Sequence, residues 1–127
     1  MKDLHIDKTT QTPKIDFNAK TGQLYLSGRS LPEDSAKFYQ VVFNWLDTYV
    51  KNLPVSTEVR FKLDYFNTSS AKAIFSIIVR FDELYKKDYP ISIKWYYDED
   101  DEDMKDLGEE YQDLFTIPIH LIMQMDE

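Results

Sequence analysis

The sequence predicts an α/β domain with a mixed sheet of about five strands and helices mainly on one face. Segments that alternate apolar and polar residues, as strands do, are separated by segments whose apolar residues recur at helical spacing. The predicted order is β-β-α-β-α-β-α-β, and strands joined through helices pair in parallel by right-handed crossovers. The length of 127 residues fits one hydrophobic core, so we expect residues 1–127 to form a single domain.

The first third of the chain predicts a hairpin followed by a helix. Residues 13–18 and 24–28 alternate on either side of a turn at 18–22, which is typical of a β-hairpin. Residues 31–35 carry acidic groups that favour a helix start, and a proline indicates a helix end near 52–54. The apolar positions of this helix are Phe38, Val41, Val42, Trp45, Leu46, Tyr49 and Leu53.

The rest of the chain predicts strands at 58–66, 91–97 and 117–123, separated by two helices. The first of these helices begins at about Thr68, and Pro118, near the start of the last strand, indicates an edge or strand-entry position. The side chains expected on one side of the first strand are Val59, Phe61, Leu63 and Tyr65. The apolar sets of the two helices are Ala71, Ile74, Phe75, Ile78, Phe81, Leu84 and Tyr85, then Met104, Leu107, Tyr111 and Leu114.

Composition narrows the possible partners. There are 15 basic and 23 acidic side chains, a net charge of −8, whereas nucleic-acid and anionic-membrane surfaces are normally basic. The absence of cysteine excludes disulfides, thiolate nucleophiles and cysteine-based zinc sites, and fits a reducing compartment. The N-terminal residues lack the apolar stretch of a secretory signal, and no apolar run approaches the roughly 20 residues of a membrane span. We therefore expect a soluble, cytoplasmic protein.

Catalytic motifs are absent from the sequence. The two histidines, His5 and His120, lie near opposite ends, and no nucleophile elbow, zinc-binding helix or nucleotide-binding glycine loop occurs. Because His120 lies in an apolar strand, we expect it to be a hydrogen-bonded structural residue. The sequence thus predicts no enzyme, no catalytic residue and no cofactor, with dispersed carboxylates as the alternative for catalysis.

An acidic run precedes the third predicted helix. It offers the oxygen ligands that cations prefer but lacks the spaced ligands and turn glycine of a calcium loop, so we predict no metal site. A helix start that favours negative charge is the preferred interpretation, and a docking patch for a basic partner is the alternative. The run consists of Asp98, Glu99, Asp100, Asp101, Glu102 and Asp103.

A polar motif, Asn67-Thr68-Ser69-Ser70, lies where a predicted strand gives way to a predicted helix. Such side chains cap helices by accepting hydrogen bonds from the free amides of the first turn. Consecutive hydroxyls at such a corner also form an accessible phosphoacceptor site. A phosphate there would meet free amides and the positive end of the helix dipole. Capping and phosphorylation are compatible, because one residue can do each in a different state.

The order and spacing of several short motifs carry a resemblance to a known family. They are Leu4-His5-Ile6 with Thr12-Pro13, Pro32-Glu33-Asp34-Ser35, Leu63 to Ser70 with Lys72, and Trp95-Tyr96-Tyr97-Asp98. Together they resemble the SiaC family of bacterial regulatory phosphoproteins, formerly a domain of unknown function, over essentially the whole chain.

The resemblance implies a fold like the anti-sigma factor antagonist (STAS) domain and a partner-switching role in signal transduction. It implies that a dedicated serine/threonine kinase phosphorylates Thr68 and that a PP2C-type phosphatase reverses this. The unphosphorylated form would bind and activate an effector such as a diguanylate cyclase, linking the switch to cyclic-di-GMP and biofilm regulation. Typical STAS domains carry an acid before the acceptor and a glycine after it. Here Asn67 replaces the acid and no glycine follows, which favours the SiaC-like branch.

The leading hypothesis is therefore a noncatalytic phosphoswitch. Thr68 accepts phosphate, while Asn67, Ser69 and Ser70 shape its hydrogen bonding and border the face that docks partners. The alternative is a constitutive interaction or scaffold domain in which Thr68 only caps a helix.

Overall fold

In the computed structural model, which describes residues 1–125, the chain forms a six-stranded sheet and three helices. The strands are β1 (Leu4–Ile6), β2 (Lys14–Phe17), β3 (Gln23–Ser30), β4 (Thr57–Phe66), β5 (Ile91–Asp98) and β6 (Ile119–Gln124). The helices are α1 (Ser35–Tyr49), α2 (Thr68–Lys86) and α3 (Glu102–Leu114).

The strands follow one another across the sheet in chain order. β1, β2 and β3 pair antiparallel, whereas β3 to β6 pair in parallel. Each parallel pair is joined through one helix, and right-handed crossovers in one direction place all three helices on the same face. The predicted α/β class and the hairpin are confirmed, and β6, which Pro118 precedes, is an edge strand as expected. The expectation of about five strands omits β1, whose three residues are too few to show a periodicity.

The two faces of the sheet differ in burial. Side chains that point toward the helices, including Val59, Phe61 and Trp95, are almost completely buried. The opposite face is polar, and Glu58 there forms an ion pair with Lys94. The hydrogen bond from Lys94 lowers the pKa of the Glu58 carboxyl, against the opposing effect of partial burial. One covered face and one polar face explain the period-two pattern in these strands.

An extra residue near the end of β4 changes which side chains face the core. The pairing register shifts between Gly28 and Arg29, so Asp64 bulges from the ladder. Gly28 has a φ of 101°, a left-handed conformation that favours glycine. Tyr65 therefore points outward beneath the Arg29 guanidinium, and Phe66 packs against the core. The expectation that Tyr65 shares the buried side of the strand is wrong because a simple alternation does not include the bulge.

Some side chains assigned to the core lie at the surface. Val41, Phe75 and Leu114 are exposed, because each lies at the margin of its helix's apolar stripe. Conversely, Tyr39, which is not among the predicted apolar positions of α1, is buried. The expectation of a bonded structural His120 is also wrong, since this residue is exposed on the edge strand. Helical periodicity locates the centre of a buried stripe better than its margins.

The close approach of α3 to the sheet depends on Gly108. A Cβ at this position would lie 2.5 Å from Leu121 Cδ2 and 2.6 Å from Trp95 Cδ1. Trp95 cannot move freely, because it is buried and its Nε1 donates a hydrogen bond to the Met104 carbonyl.

Gly108→Ala should destabilise the protein. Overpacking typically costs about 1–3 kcal/mol, which exceeds the gain of up to about 1 kcal/mol from the better helix propensity of alanine. Urea unfolding should show a lower free energy of unfolding. Glu109→Ala, at the neighbouring exposed position, is the control and should change it by no more than about 0.5 kcal/mol. Equal or greater stability of Gly108→Ala would contradict the close approach.

Candidate functional site

The polar motif predicted at a strand-to-helix corner lies at such a corner, between β4 and α2. Asn67 is the N-cap of α2 and has extended backbone angles. Its side-chain Oδ1 accepts hydrogen bonds from the Ser70 amide at 2.9 Å and the Ser69 hydroxyl at 3.1 Å. Its own amide donates to the Ser30 carbonyl at the end of β3. The cap is therefore Asn67, and the alternative in which Thr68 caps the helix is wrong.

Thr68 is the first residue of α2, and its side chain is exposed. Within residues 1–125, no side-chain hydrogen bond engages its hydroxyl. The hydroxyl is thus not needed for the cap, and it lies at the positive end of the helix dipole. A phosphate here would be close to the unpaired amides of the first turn.

Ser69 links the starts of two helices. It is exposed, and its hydroxyl lies 2.7 Å from the hydroxyl of Ser35, the first residue of α1. Because Ser69 Oγ also donates to Asn67, one side chain bridges the α2 cap and the first turn of α1. This bridge fixes the surface on the α1 side of Thr68.

Ser70 lies inside the protein, contrary to the expectation that it borders a partner-binding face. It is 0% exposed, and its hydroxyl accepts a hydrogen bond of 2.8 Å from Ser30. Ser30 in turn lies 2.6 Å from the Tyr39 hydroxyl, which must donate because Ser30 gives its proton to Ser70. Burial raises the pKa of Tyr39, while these two serines act in the opposite direction. Ser70 therefore supports the corner from below and is not part of its surface.

The acidic run forms the turn between β5 and α3, as the helix-start interpretation requires. Asp98 ends β5, and the Asp101 side chain caps α3 by accepting a 3.1 Å hydrogen bond from the Met104 amide. Glu102 and Asp103 lie in the first turn, where their negative charges interact favourably with the positive end of the helix dipole. The other members of the run, Glu99 and Asp100, are exposed.

The fold brings this acidic turn next to the Thr68 corner. A groove of about 270 Å³ is lined by the end of β4, including Asp64 and Phe66, and by Asp101, Asp103 and Leu107 from the start of α3. Phe66 is separated from Thr68 by Asn67 alone. The two features that the sequence presents 30 residues apart thus share one end of the molecule.

A second groove, which we name the α2–α3 groove, runs from Thr68 along the two helices. Its volume is about 590 Å³. Leu107 lines both grooves, so the two are adjacent. The sequence pattern does not predict this groove, because its exposed apolar residues fit the helical spacing expected of core residues. The lining residues are Thr68, Ala71, Lys72, Phe75, Ser76, Leu107, Glu110, Tyr111 and Leu114.

Residues 1–125 contain no group of three or more histidine or acidic side chains placed to hold a metal ion. None of the helices in that range has both the length and the apolar character to cross a membrane.

Most of the chain matches a known protein family. Residues 6–124 match the SiaC family of regulatory phosphoproteins. The chain belongs to the SiaC family. A relative, an uncharacterized protein of Pseudomonas aeruginosa strain UCBPP-PA14, is 33% identical over 118 residues, which are 93% of this chain and 94% of the relative.

Solved SiaC structures have the same fold. SiaC of P. aeruginosa is 30% identical, with a TM-score of 0.89 covering 98% of this chain and 100% of that one. A crystal structure shows the P. aeruginosa diguanylate cyclase SiaD in complex with its activator SiaC. Its matching chain is 31% identical, with a TM-score of 0.90 covering 96% of this chain and 100% of that one. The resemblance to the SiaC family and the SiaC-like α/β fold are thus confirmed.

Substitutions at the corner should separate the cap from the candidate acceptor. Asn67→Ala should lower the free energy of unfolding by about 1 kcal/mol, because the Ser70 amide loses its side-chain acceptor. Thr68→Ala removes an unbonded hydroxyl and should change it by no more than about 0.5 kcal/mol. Chemical denaturation followed by circular dichroism measures both. Equal losses from the two substitutions would contradict the assignment of the cap.

Proposed function

We propose that this chain is a noncatalytic phosphoswitch that binds and activates a diguanylate cyclase when Thr68 is unphosphorylated. It acts as a single regulatory domain in the cytoplasm, where ATP is available to the kinase. A dedicated serine/threonine kinase phosphorylates Thr68, and a PP2C-type phosphatase removes the phosphate. The observation that carries the proposal is an exposed, unbonded hydroxyl at a helix start in a member of a regulatory phosphoprotein family.

The local geometry supports Thr68 as the acceptor over its neighbours. Ser70 is buried, so a kinase could reach it only after the first turn of α2 had opened. Ser69 is exposed, but its hydroxyl is shared between Ser35 and Asn67. Phosphorylation of Thr68 breaks no side-chain hydrogen bond of the corner, so both states of the switch can keep the same fold.

The P. aeruginosa complex of SiaD with its activator SiaC supports the choice of effector. A phosphate adds about −1.5 to −2 charges, and burying such an anion in an interface removes its hydration. Weakening an interaction about 100-fold requires about 2.7 kcal/mol, which the desolvation of one dianion can supply. Control of cyclic-di-GMP synthesis, and through it of biofilm formation, would then follow from the phosphorylation state of one residue.

The experiment compares three proteins: the wild type, Thr68→Ala and Thr68→Asp. Each is incubated with the kinase, the phosphatase and the diguanylate cyclases of the source organism. Intact mass after incubation with the kinase and ATP should show one added phosphate on the wild type and none on Thr68→Ala. Thr68→Ala should activate the cyclase whether or not the kinase has acted. Phosphorylated wild type and Thr68→Asp should activate it less.

Ser69→Ala is the matched control, because it removes an adjacent exposed hydroxyl and leaves Thr68 in place. It should still be phosphorylated. Full phosphorylation of Thr68→Ala would move the acceptor to another residue, with Ser69 next. Activation by the wild type that phosphorylation leaves unchanged would contradict the switch and favour a constitutive interaction domain.

A further inference from the structure

The open face of the sheet, on the side away from the helices, carries three chemically distinct side chains in register. Asp16, Tyr25 and Arg60 lie directly opposite one another on β2, β3 and β4. Their chain neighbours, such as Leu24 and Phe61, are buried against the helices, so these three side chains point to the open side. Adjacent strands lie about 4.8 Å apart, so a phenol ring stands between a carboxylate and a guanidinium whose Cα atoms are about 10 Å apart.

These three side chains line a pocket of about 380 Å³. The rest of its lining comes from the β2–β3 turn and the start of β3, including Asn18, Thr21 and Gln23. Pockets that hold small organic molecules begin at about 300 Å³. The pocket therefore has room for one small ligand, and its lining is mainly polar.

The guanidinium of Arg60 has donors to spare. Its Nε is buried and, within residues 1–125, has no hydrogen-bond partner. Its Nη2 lies 3.6 Å from a Glu58 oxygen, which is longer than a hydrogen bond, while Lys94 engages Glu58 more closely. The Arg60 side chain is 42% exposed, so its terminal N–H groups can be reached from solvent. A planar ligand with two adjacent acceptors would fill these donors.

A second row of side chains lies beside the first. Lys14, Ser27 and Lys62 are paired across β2, β3 and β4, two residues further along each strand and on the same face. Two residues advance a strand by about 6.7 Å. Ser27 is small, so the two lysines flank an open position above its hydroxyl. Within the described part of the chain neither lysine has a salt-bridge partner, so both ammonium groups are available to an anion.

This part of the open face is locally basic in a chain whose net charge is −8. In the rows that contain Gln23, Tyr25 and Ser27, the basic side chains outnumber the carboxylates by four to two. They are Lys14, Arg60, Lys62 and Lys94 against Asp16 and Glu58. A small anion would meet this local charge alone, whereas a long polyanion would also meet the acidic remainder of the surface.

We propose that the open face of β2, β3 and β4 binds a guanine nucleotide. The fork of Arg60 donates to the O6 and N7 acceptors of guanine, and the Asp16 carboxylate accepts from its N1–H and N2–H groups. The base stacks on the Tyr25 ring. Lys14 and Lys62 hold the phosphate that the ribose carries one row further along the strands.

The arginine favours guanine over adenine, because adenine presents an amino donor beside N7 where guanine presents an acceptor. The site lies on the face of the sheet that the helices leave open, so it is separate from the Thr68 corner. The proposal thus goes beyond the proposed function and does not depend on it. GTP and cyclic-di-GMP both carry a guanine base with a 5′-phosphate, so either can be the source of this chemistry.

Isothermal titration calorimetry of the wild-type protein with GMP, AMP, GTP and cyclic-di-GMP tests the site. GMP should bind about tenfold more tightly than AMP. Tighter binding of GTP than of cyclic-di-GMP would support the site with the triphosphate as its ligand, and the reverse would support it with the cyclic dinucleotide. Equal affinities for GMP and AMP would overturn the assignment of guanine. Absence of binding by all four at about 1 mM would overturn the site.

Two substitutions test the separate roles of the base and phosphate contacts. Arg60→Lys keeps the charge but loses the fork, so it should weaken GMP binding about tenfold and leave AMP binding nearly unchanged. Lys62→Ala should weaken both nucleotides about tenfold at 50 mM salt and much less at 500 mM. Lys51→Ala, an equal loss of charge at an exposed position after α1, is the matched control and should have little effect. Equal effects of the two alanine substitutions would overturn the phosphate contact.

Activation assays with the full-length cyclases separate this proposal from the proposed function. Thr68→Ala should bind GMP as the wild type does, and a large loss of GMP binding in this variant would overturn a site on the open face. Cyclase activation by a protein that binds no nucleotide would overturn the nucleotide site and leave the proposed function intact. Specific binding of GMP that Arg60→Lys weakens, without activation of any cyclase, would support the site and overturn the proposed effector.

Discussion

The exposure of Thr68 depends on the cap that Asn67 provides for α2. The Asn67 side chain holds the first turn through the Ser70 amide, and its own amide is tied to the end of β3. Below the turn, the hydroxyls of Ser30, Ser70 and Tyr39 form a buried chain that joins β3, α2 and α1. The neighbours of Thr68 thus bear the structural role, and within residues 1–125 its own hydroxyl takes no part in these side-chain hydrogen bonds.

Periodicity predicted most of the fold because the strands and helices each have one buried face. The hairpin, the three helices and the start of α2 at Thr68 all followed from it. It could not predict β1, which is too short, or the bulge at Asp64, which depends on the paired register with Gly28. Register is a property of two strands together, so a pattern read along one of them does not contain it.

The candidate site was only partly predictable from the sequence. Asparagine, threonine and serine all favour helix caps, so composition could not decide which of Asn67, Thr68 and Ser69 fills that position. It also could not distinguish the buried Ser70 from its exposed neighbours. The α2–α3 groove was hidden for a related reason. Phe75 and Leu114 satisfy a helical apolar pattern, but whether such residues meet a core or an open groove depends on the neighbouring helix.

The missing side chain of Gly108 has a thermodynamic consequence for whatever occupies that groove. Because α3 lies directly on Trp95 and Leu121, it cannot move closer to the sheet. An outward movement of α3 would break the hydrogen bond that the Met104 carbonyl accepts from the buried Trp95 indole. The α3 side of the groove is therefore preorganised, and a partner that binds there would require little rearrangement of this protein. The entropic cost of ordering an interface at this groove therefore falls mainly on the partner.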